Sequence, residues 1–320
     1  MELTLADVHA ARTIVYKSLQ PTPLLRHALL DAKTGLTIRV KHENCNPTGA
    51  FKVRGGLNLI ANLATGERRG VITATTGNHG QSIALACLRE GVPCTIVVPL
   101  GNNPDKNAAM RALGANVVEF GRDFDQAREH VEELQHANGL RYVHSANEPH
   151  LIAGVATYAL EIFEEMPDVE VVLVPIGGGS GACGCGLVRT WLGSKAEIIG
   201  VQAAGADAVA RSWRTGTRVV GDRAETFAEG MATRVTFDLT FGILQRELNE
   251  MVTLTEEELA GGVRLALDAT HHLAEGAGAA SLAAAVKLKD RLRGKRVVCV
   301  MSGGNIDRTT LVRVLGTSVS

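Results

Sequence analysis

Short runs of β-branched and aliphatic residues alternate with segments of helical period through most of this chain, and this alternation constrains the fold most strongly. Strands that are apolar on both faces and separated by single helices indicate parallel sheets covered on both sides. The sequence therefore predicts an α/β protein. The candidate strands are Leu36–Val40, Val71–Ala74, Cys94–Val98, Asn116–Phe120, Arg141–His144, Val169–Val174, Glu197–Gln202 and Arg296–Met301. The helical patterns between them include Gly80–Glu90, Pro104–Leu113, Asp123–Asn138 and Gly154–Glu165.

The order of these elements predicts two domains. Residues 49–145 hold four βα-like units, and we expect them to form a small inserted domain. Residues 1–48 and 146–320 are expected to form the large domain, with a second sheet built from the strands near residues 36, 171, 197 and 296. The chain has no Pro/Ser-rich or charged linker that would mark these boundaries more directly.

Charge and hydropathy exclude several classes of partner. The 33 basic and 34 acidic side chains give a net charge of −1, which argues against a nucleic-acid or anionic-membrane partner. Val171–Val188 lacks charge, but it contains Pro175 and six glycines, so it indicates a strand, a loop and a helix rather than a membrane span. The six cysteines form no CxxC pair; they are expected to be free thiols in a reducing compartment, the cytoplasm.

Glycine is over-represented, at 35 of 320 residues or about 11% against a usual roughly 7%. The densest cluster is Pro175–Ala182, directly after an apolar strand and before a predicted helix. Consecutive glycines let main-chain N–H groups converge on an anion, and a helix N-terminus adds positive potential. The loop lacks the Lys-Ser/Thr of a P-loop and the G-x-G-x-x-G spacing. A phosphate monoester is the natural ligand; the alternative is close strand–helix packing without a ligand.

A second loop, Thr75–Gln81, also follows a predicted strand and precedes a helix. Its hydroxyls, amide and open backbone suit a carboxylate or another small anion, and Asn78 is a possible donor to a phenolate-type oxygen. The alternative is that these residues only cap the helix.

The third motif, Asn46–Gly56, contains Lys52 among turn residues and apolar neighbours. A lysine becomes an amine nucleophile when desolvation lowers its pKa. A lone lysine is usually on the surface, and only the presence of the other two motifs favours the nucleophile.

These three motifs together suggest pyridoxal 5′-phosphate (PLP). The chain resembles the fold-type II PLP enzymes, which are tryptophan synthase β-like, and among them most closely the serine/threonine dehydratases (threonine ammonia-lyases) and serine racemases. Asn46–Arg54, Thr75–Gln81 and Gly177–Ala182 follow in the family's order, and Ser302–Asn305 resembles its C-terminal motif. Glu225–Gly230 is similar, more weakly, to a segment near the active site. The resemblance implies two parallel-sheet domains with the cofactor between them.

The resemblance also implies roles for individual residues. Lys52 would hold PLP through a Schiff base and act as the base at the substrate Cα, with Thr76 as a second catalytic candidate. Phe51 would pack near the ring, Asn78 would hydrogen-bond the 3′-oxygen, and Ser302 would meet the ring nitrogen. The phosphate would be bound by Gly177, Gly178, Gly179, Ser180, Gly181 and Ala182. The substrate would be bound by Thr75, Thr76, Gly77, Asn78 and His79.

The implied reaction is the α,β-elimination of a small β-hydroxy amino acid, such as threonine or serine, to a 2-oxo acid and ammonia. A neutral hydroxyl at Ser302 leaves the ring a shallower electron sink than a carboxylate would, which suits elimination. An amino-acid racemase remains open, because Thr76 stands where racemases tend to have a serine and many dehydratases an alanine. A non-catalytic phosphate-ligand binding protein also remains open.

Departures from the family pattern carry further expectations. Gln202 and Ala208 replace the carboxylates of cation-binding relatives, so no divalent cation is expected there and no metal ligand is assigned. The family branch that includes the dehydratase of hydroxyectoine breakdown has segments that resemble Ile152–Thr157 and Glu275–Gly278. The resemblance therefore gives an alternative substrate, a hydroxyectoine-derived or 3-hydroxyaspartate-type amino acid. The short segment after Ser302 predicts no regulatory domain and a catabolic role. The resemblance further implies a homodimer.

Overall fold

The computed structural model describes residues 3–122 and 124–316, and its α/β architecture confirms the predicted fold class. By internal contacts the chain divides into two compact units. Unit 1 contains Met1–Leu19 and Lys52–Val155, and unit 2 contains Gln20–Phe51 and Ala156–Ser320. The expected division into folding domains at residues 49 and 145 stays a prediction.

Ten strands lie within the described residues. They are β1 (Leu24–Arg26), β2 (Thr37–His42), β3 (Val71–Ala74), β4 (Cys94–Val98), β5 (Asn116–Glu119), β6 (Arg141–Tyr142), β7 (Val171–Pro175), β8 (Glu197–Ala203), β9 (Glu250–Leu254) and β10 (Arg296–Met301).

Fourteen α-helices lie within the same residues. They are α1 (Leu5–Val15), α2 (Ala28–Thr34), α3 (Lys52–Ala61), α4 (Asn78–Glu90), α5 (Pro104–Ala112), α6 (Phe124–Asn138), α7 (Pro149–Glu165), α8 (Ser180–Trp191), α9 (Ala208–Thr215), α10 (Asp238–Glu247), α11 (Glu256–Thr270), α12 (Gly276–Lys287), α13 (Lys289–Leu292) and α14 (Arg308–Gly316). Short 3-10 helices are formed by Glu43–Cys45, Thr65–Arg69, Ala204–Ala206 and Glu229–Met231.

The sheet of unit 2 has the strand order β1-β2-β10-β7-β8-β9, and all neighbours are parallel except β1 and β2. The sequence predicted the four inner strands. It missed β1 and β9, which lie at the two edges of this sheet; β1 has only three residues, and two of them are exposed. Because β7 and β10 are parallel neighbours, the glycine loop after β7 and Ser302 after β10 emerge at the same edge.

The sheet of unit 1 has the order β5-β4-β3-β6, and all pairs are parallel. The central strand β3 is buried over its whole length, which explains why Val71–Ala74 is apolar on both faces. Its carboxyl end leads directly to Thr75. The first turn of α4 therefore lies at the carboxyl edge of this sheet, the usual place for a ligand in a parallel α/β sheet.

The uncharged segment Val171–Val188 forms β7, the glycine loop and most of α8, as the sequence predicted. In the part of the chain that the structure describes, no helix has the length and apolar character needed to cross a bilayer. All six cysteines are free thiols, and five of them are buried.

Candidate active site

Lys52 is the first residue of α3 and belongs to unit 1. Its Nζ lies 3.4 Å from the carbonyl oxygen of Ser145. Burial lowers the pKa of Lys52 to about 8, since an ammonium group loses hydration when it leaves water. A lysine with this pKa has a much larger neutral fraction near pH 7 than an exposed lysine has, and the neutral amine is the nucleophile.

Helices α3 and α4 hold the backbone of Lys52 in place. The Oγ of Ser82, on α4, donates a hydrogen bond to the Lys52 carbonyl oxygen over 2.6 Å. Gly56 permits this approach, because a Cβ at Gly56 would lie 2.3 Å from the Ser82 Oγ. The glycine pair after Lys52 thus serves helix packing in this unit, and it fixes the lysine relative to the loop that begins α4.

The Thr75–Gly77 loop joins β3 to α4. The main-chain N–H of Gly77 donates to Thr75 Oγ1 over 3.1 Å, which shapes the turn. Gly77 is the N-cap of α4, and no side chain caps this helix. An uncapped first turn of a 13-residue helix presents main-chain N–H groups and positive potential to an anion. The geometry suits a small carboxylate.

His79 lies in the first turn of α4 with a buried side chain. The hydroxyl of Thr73 donates its one proton to the carbonyl oxygen of Val143 over 2.8 Å. Toward His79 the same oxygen is therefore the acceptor, and the His79 Nε2–H donates to it over 3.1 Å. Burial, with smaller contributions from Lys52 and His144, lowers the pKa of His79 to about 3. The ring is therefore neutral, and its buried Nδ1 has no hydrogen-bond partner. Its side chain does not supply a positive charge to the loop.

Unit 2 contains the glycine loop that the sequence predicts to bind a phosphate. Gly177–Gly179 follow β7, and α8 begins at Ser180. Gly179, the N-cap, has φ +94° and no side-chain cap, a backbone conformation that other residues rarely adopt. The start of α8 therefore presents main-chain N–H groups, as a phosphate site requires.

The glycines of this segment have two separate tasks. A Cβ at Gly177 would lie 2.2 Å from the carbonyl oxygen of Gly230. Gly184, inside α8, permits helix packing instead, because its Cβ would lie 2.9 Å from the Cα of Ala156. Gly177 therefore permits a close approach of the loop to Gly230, and Gly184 permits the packing of α8 on α7.

Tyr158, on α7, supports the first turn of α8. Its hydroxyl donates to the carbonyl oxygen of Gly181 over 2.9 Å, and its ring contacts the Phe51 ring edge to face, with centroids 6.0 Å apart. A Cβ at Gly181 would approach that phenylalanine ring to 3.5 Å. Phe51 therefore lies beside the glycine loop.

Ser302 directly follows β10 and is buried. Its carbonyl oxygen accepts a hydrogen bond from the N–H of Phe51 over 3.0 Å, and the N–H of Gly304 donates to the Gly49 carbonyl oxygen over 2.8 Å. An isolated bridge pairs Ala50 with Gly303. Unit 2 thus brings the C-terminal motif onto the segment that precedes Lys52.

Within each unit the structure brings predicted residues together. Unit 1 joins Lys52 to the Thr75–His79 loop through α3 and α4, and unit 2 joins Phe51 and Ser302 to the glycine loop. Sequence reasoning missed Ser82, Ser145 and Tyr158, because only the fold brings them to the predicted residues; Gly230 belongs to the Glu225–Gly230 segment that the sequence already indicated. The segment that carries carboxylates in cation-binding relatives forms bonds within unit 2. Gln202 Oε1 accepts from the Ala210 N–H over 2.9 Å, and Asp207 forms an ion pair with Arg211.

A family model described as pyridoxal-phosphate dependent enzyme matches residues 15–303. The chain belongs to this family. It is 39% identical to an L-threonine ammonia-lyase of Thermotoga maritima over 314 residues, which is 98% of this chain and 78% of the relative. It is 32% identical to a serine racemase of Schizosaccharomyces pombe over 305 residues, which is 95% of this chain and 94% of the relative.

Solved structures agree with this assignment. The processed form of threonine deaminase isoform 2 from Solanum lycopersicum matches with a TM-score of 0.93 and 31% identity, over 98% of this chain and 91% of that one. The donor set described above fits PLP. Unit 2 offers a glycine cradle at an uncapped helix N-terminus for a phosphate, and unit 1 offers an amine whose lowered pKa suits Schiff-base formation with an aldehyde.

Proposed function

We propose that this PLP-dependent enzyme is a dehydratase, or ammonia-lyase, that converts a small β-hydroxy amino acid to a 2-oxo acid and ammonia by α,β-elimination. Threonine, serine or a related compound is the substrate. The observation that carries the proposal is in unit 1, where the amine of Lys52 has a pKa lowered to about 8 and its helix packs on the helix that presents the Thr75–His79 loop. The names of the similar threonine ammonia-lyases support the same reaction.

The residues of unit 1 would perform the proton transfer. Lys52 would hold the cofactor covalently and, once the substrate has taken its place, its neutral amine would accept the proton from the substrate Cα. The main-chain N–H groups around Gly77 would bind the substrate carboxylate, with Thr75, Thr76 and His79 completing the loop. Asn78 would donate to the 3′-oxygen of the cofactor ring.

The residues of unit 2 would hold the cofactor. Bound PLP supplies an electron sink for the carbanion at Cα. Phe51 would pack near the ring, and the buried hydroxyl of Ser302 would face the ring nitrogen without adding a charge. The phosphate would be bound by Gly177, Gly178, Gly179, Ser180, Gly181 and Ala182.

Replacing Lys52 with Ala tests the assignment of the lysine. We expect the Schiff-base absorption band and the formation of 2-oxo acid to disappear together, while the exposed Lys17→Ala variant in the same unit keeps both. Turnover that survives in Lys52→Ala would show that the lysine is misassigned. A wild-type protein that shows no band after addition of PLP would remove the enzymatic function altogether.

Product analysis separates elimination from racemisation. Purified enzyme is incubated with L-serine or L-threonine, and 2-oxo acid, ammonia and D-amino acid are quantified. We expect 2-oxo acid and ammonia in equal amounts and in excess over D-amino acid. Mostly D-amino acid would instead support the racemase. A panel that adds 3-hydroxyaspartate and a hydroxyectoine-derived amino acid identifies the preferred substrate by kcat/KM.

We further propose a cytoplasmic location and a homodimer. The six free thiols support a reducing compartment. The homodimer is an expectation from the family resemblance, and sedimentation of the purified enzyme tests it directly.

A further inference from the structure

Three histidines of unit 2 meet at a place that the proposed reaction does not use. They are His27 before α2, His42 at the end of β2, and His272 after α11. Each offers one ring nitrogen, and the three nitrogens lie within 4.8 Å of one another. His42 is fully buried, whereas His27 and His272 are partly exposed, so the cluster is accessible to an ion from solvent. We propose that this cluster is a zinc site.

The distance between two of the nitrogens is close to that of a metal site. Nε2 of His27 and Nε2 of His42 are 2.9 Å apart. Two nitrogens bound to one tetrahedral zinc ion at ~2.0–2.1 Å lie about 3.3 Å apart. If the two nitrogens moved apart by roughly 0.4 Å, a zinc ion would fit between them. Zinc would bind the lone pair of each Nε2. The ring whose Nε2 carries the proton of this hydrogen bond would lose it there and take up a proton at its own Nδ1.

The third nitrogen is already oriented by its neighbours. His272 Nδ1 lies 2.8 Å from the carbonyl oxygen of Thr270, and since a carbonyl only accepts, Nδ1 carries the proton. In the neutral ring, Nε2 keeps its lone pair. A hydrogen bond from the remote ring nitrogen to a carbonyl is the usual way in which proteins orient a metal-binding histidine.

The backbone next to the cluster is also unusual. His271, directly before His272, is the only non-glycine residue among those described that has a positive φ, at 57°. Strained backbone of this kind is concentrated at functional sites.

The charge around the cluster permits a divalent ion. The nearby Lys41 is paired with Glu161, and that carboxylate balances its charge. Three neutral imidazoles and a solvent-filled fourth position are an established ligand set for zinc, and imidazole suits zinc better than magnesium or calcium.

Zinc here would tie together two segments that lead to the predicted site. His42 directly precedes the turn that leads to the Lys52 motif, and the Asn44 side chain donates to the carbonyl oxygen of Leu273 over 3.2 Å. The main-chain N–H of Glu275 donates to the Gly303 carbonyl oxygen over 3.1 Å. Binding would therefore stiffen the strand ends that carry the Ser302 motif. This inference departs from the sequence-based expectation of no metal ligand, and it does not rest on the proposed reaction.

Zinc binding to the untagged holoenzyme tests the proposal. After removal of metal with a chelator, zinc chloride is titrated calorimetrically, and bound zinc is counted by elemental analysis. We expect one zinc ion per chain, and at least about tenfold weaker binding in both His27→Gln and His272→Gln. These partly exposed positions are chosen because a substitution at the fully buried His42 is more disruptive to folding. The exposed His136→Gln variant is the matched control and should bind as the wild type does.

Two additional readouts identify the ligands. Cobalt(II) in place of zinc should give the visible absorption of a tetrahedral site in the wild type and in His136→Gln, but not in His27→Gln. Zinc should raise the Tm of the wild type and of His136→Gln, but not that of His27→Gln. Because Cys45 is an exposed thiol three residues after His42, Cys45→Ser should also bind zinc normally. No stoichiometric zinc in the wild type, unchanged binding in both histidine variants, or loss in Cys45→Ser would overturn the proposal.

Discussion

The hydroxyl of Tyr158 donates a hydrogen bond to the main-chain carbonyl oxygen of Gly181 over 2.9 Å, and it connects α7 to the first turn of α8. Because the tyrosine is fully buried, this bond fixes the backbone of the glycine loop from within unit 2. A loop that binds an anion through main-chain N–H groups depends on such fixation, since it has few side chains with which to adjust.

Removal of this hydroxyl should therefore weaken cofactor binding. In Tyr158→Phe the Gly181 carbonyl loses its donor while the ring packing against Phe51 is kept. A net hydrogen bond contributes about 0.5–1.5 kcal/mol, so we expect the Kd for PLP to rise about two- to tenfold. Titration of the PLP-free protein, followed by the Schiff-base absorption band, measures this. An unchanged Kd would show that the loop is fixed without the tyrosine.

Gly177→Ala should damage unit 2 itself. The new Cβ would lie 2.2 Å from the Gly230 carbonyl oxygen, so the backbone has to shift, at a cost of about 1–3 kcal/mol in the free energy of unfolding. We expect a lower Tm and reduced PLP content. Gly261→Ala is the control, because its Cβ meets nothing closer than 3.8 Å, and there the Tm should stay or rise. Equal Tm values for the two variants would contradict the packing argument.

The rate of PLP capture should report the pKa of Lys52. Burial lowers this pKa from 10.5 to about 8, and only the neutral amine attacks an aldehyde. Below pH 8 the protonated amine dominates, so the rate constant should rise with pH; above pH 8 the amine is mostly neutral and the rise from this group should level off. Stopped-flow measurement of Schiff-base formation in the PLP-free protein tests this. A rate constant that still rises tenfold per pH unit beyond pH 9 would mean that the pKa of Lys52 is not lowered.

Thr76→Ala distinguishes two roles of the loop hydroxyl. If Thr76 transfers a proton to the opposite face of Cα, loss of the hydroxyl should reduce D-amino acid formation by about 100-fold or more and reduce 2-oxo acid formation much less. Thr76→Ser keeps the hydroxyl and should restore racemisation. Both products are measured in one incubation with L-serine. Equal losses of the two products would place Thr76 in substrate binding instead.

The strand pattern allowed most of the fold to be predicted. β3, β4 and β10 begin and end at the predicted residues, because buried parallel strands are apolar on both faces and glycine or polar residues interrupt them sharply. The two missed strands, β1 and β9, lie at sheet edges. β1 has only three residues, two of them exposed, and therefore offers little pattern, whereas the edge strands β5 and β6 of the other sheet were predicted.

The site was predicted in parts. Lys52, the Thr75–His79 loop and the Gly177–Ala182 loop were proposed because each is a local motif at a strand or helix end, and their roles stay predictions. Tyr158 and Ser82 were not found, since their contribution depends on which helix packs against which loop. His79 was predicted as part of the substrate-binding loop, and this stays a prediction; the structure adds that its side chain contacts Thr73, which no local pattern specifies.

By itself, the sequence determined the α/β class and the cofactor chemistry and proposed the residues that carry it, because apolar periodicity, glycine runs and a lysine among them are local properties of the chain. Tertiary structure alone decided what lies beside each of them. It lowered the pKa of Lys52 by burial and placed Gly230 against Gly177 and α7 against Gly184. It also brought His27, His42 and His272 together from distant parts of the chain. Burial, close contact and coordination depend on positions in space, which no local pattern specifies.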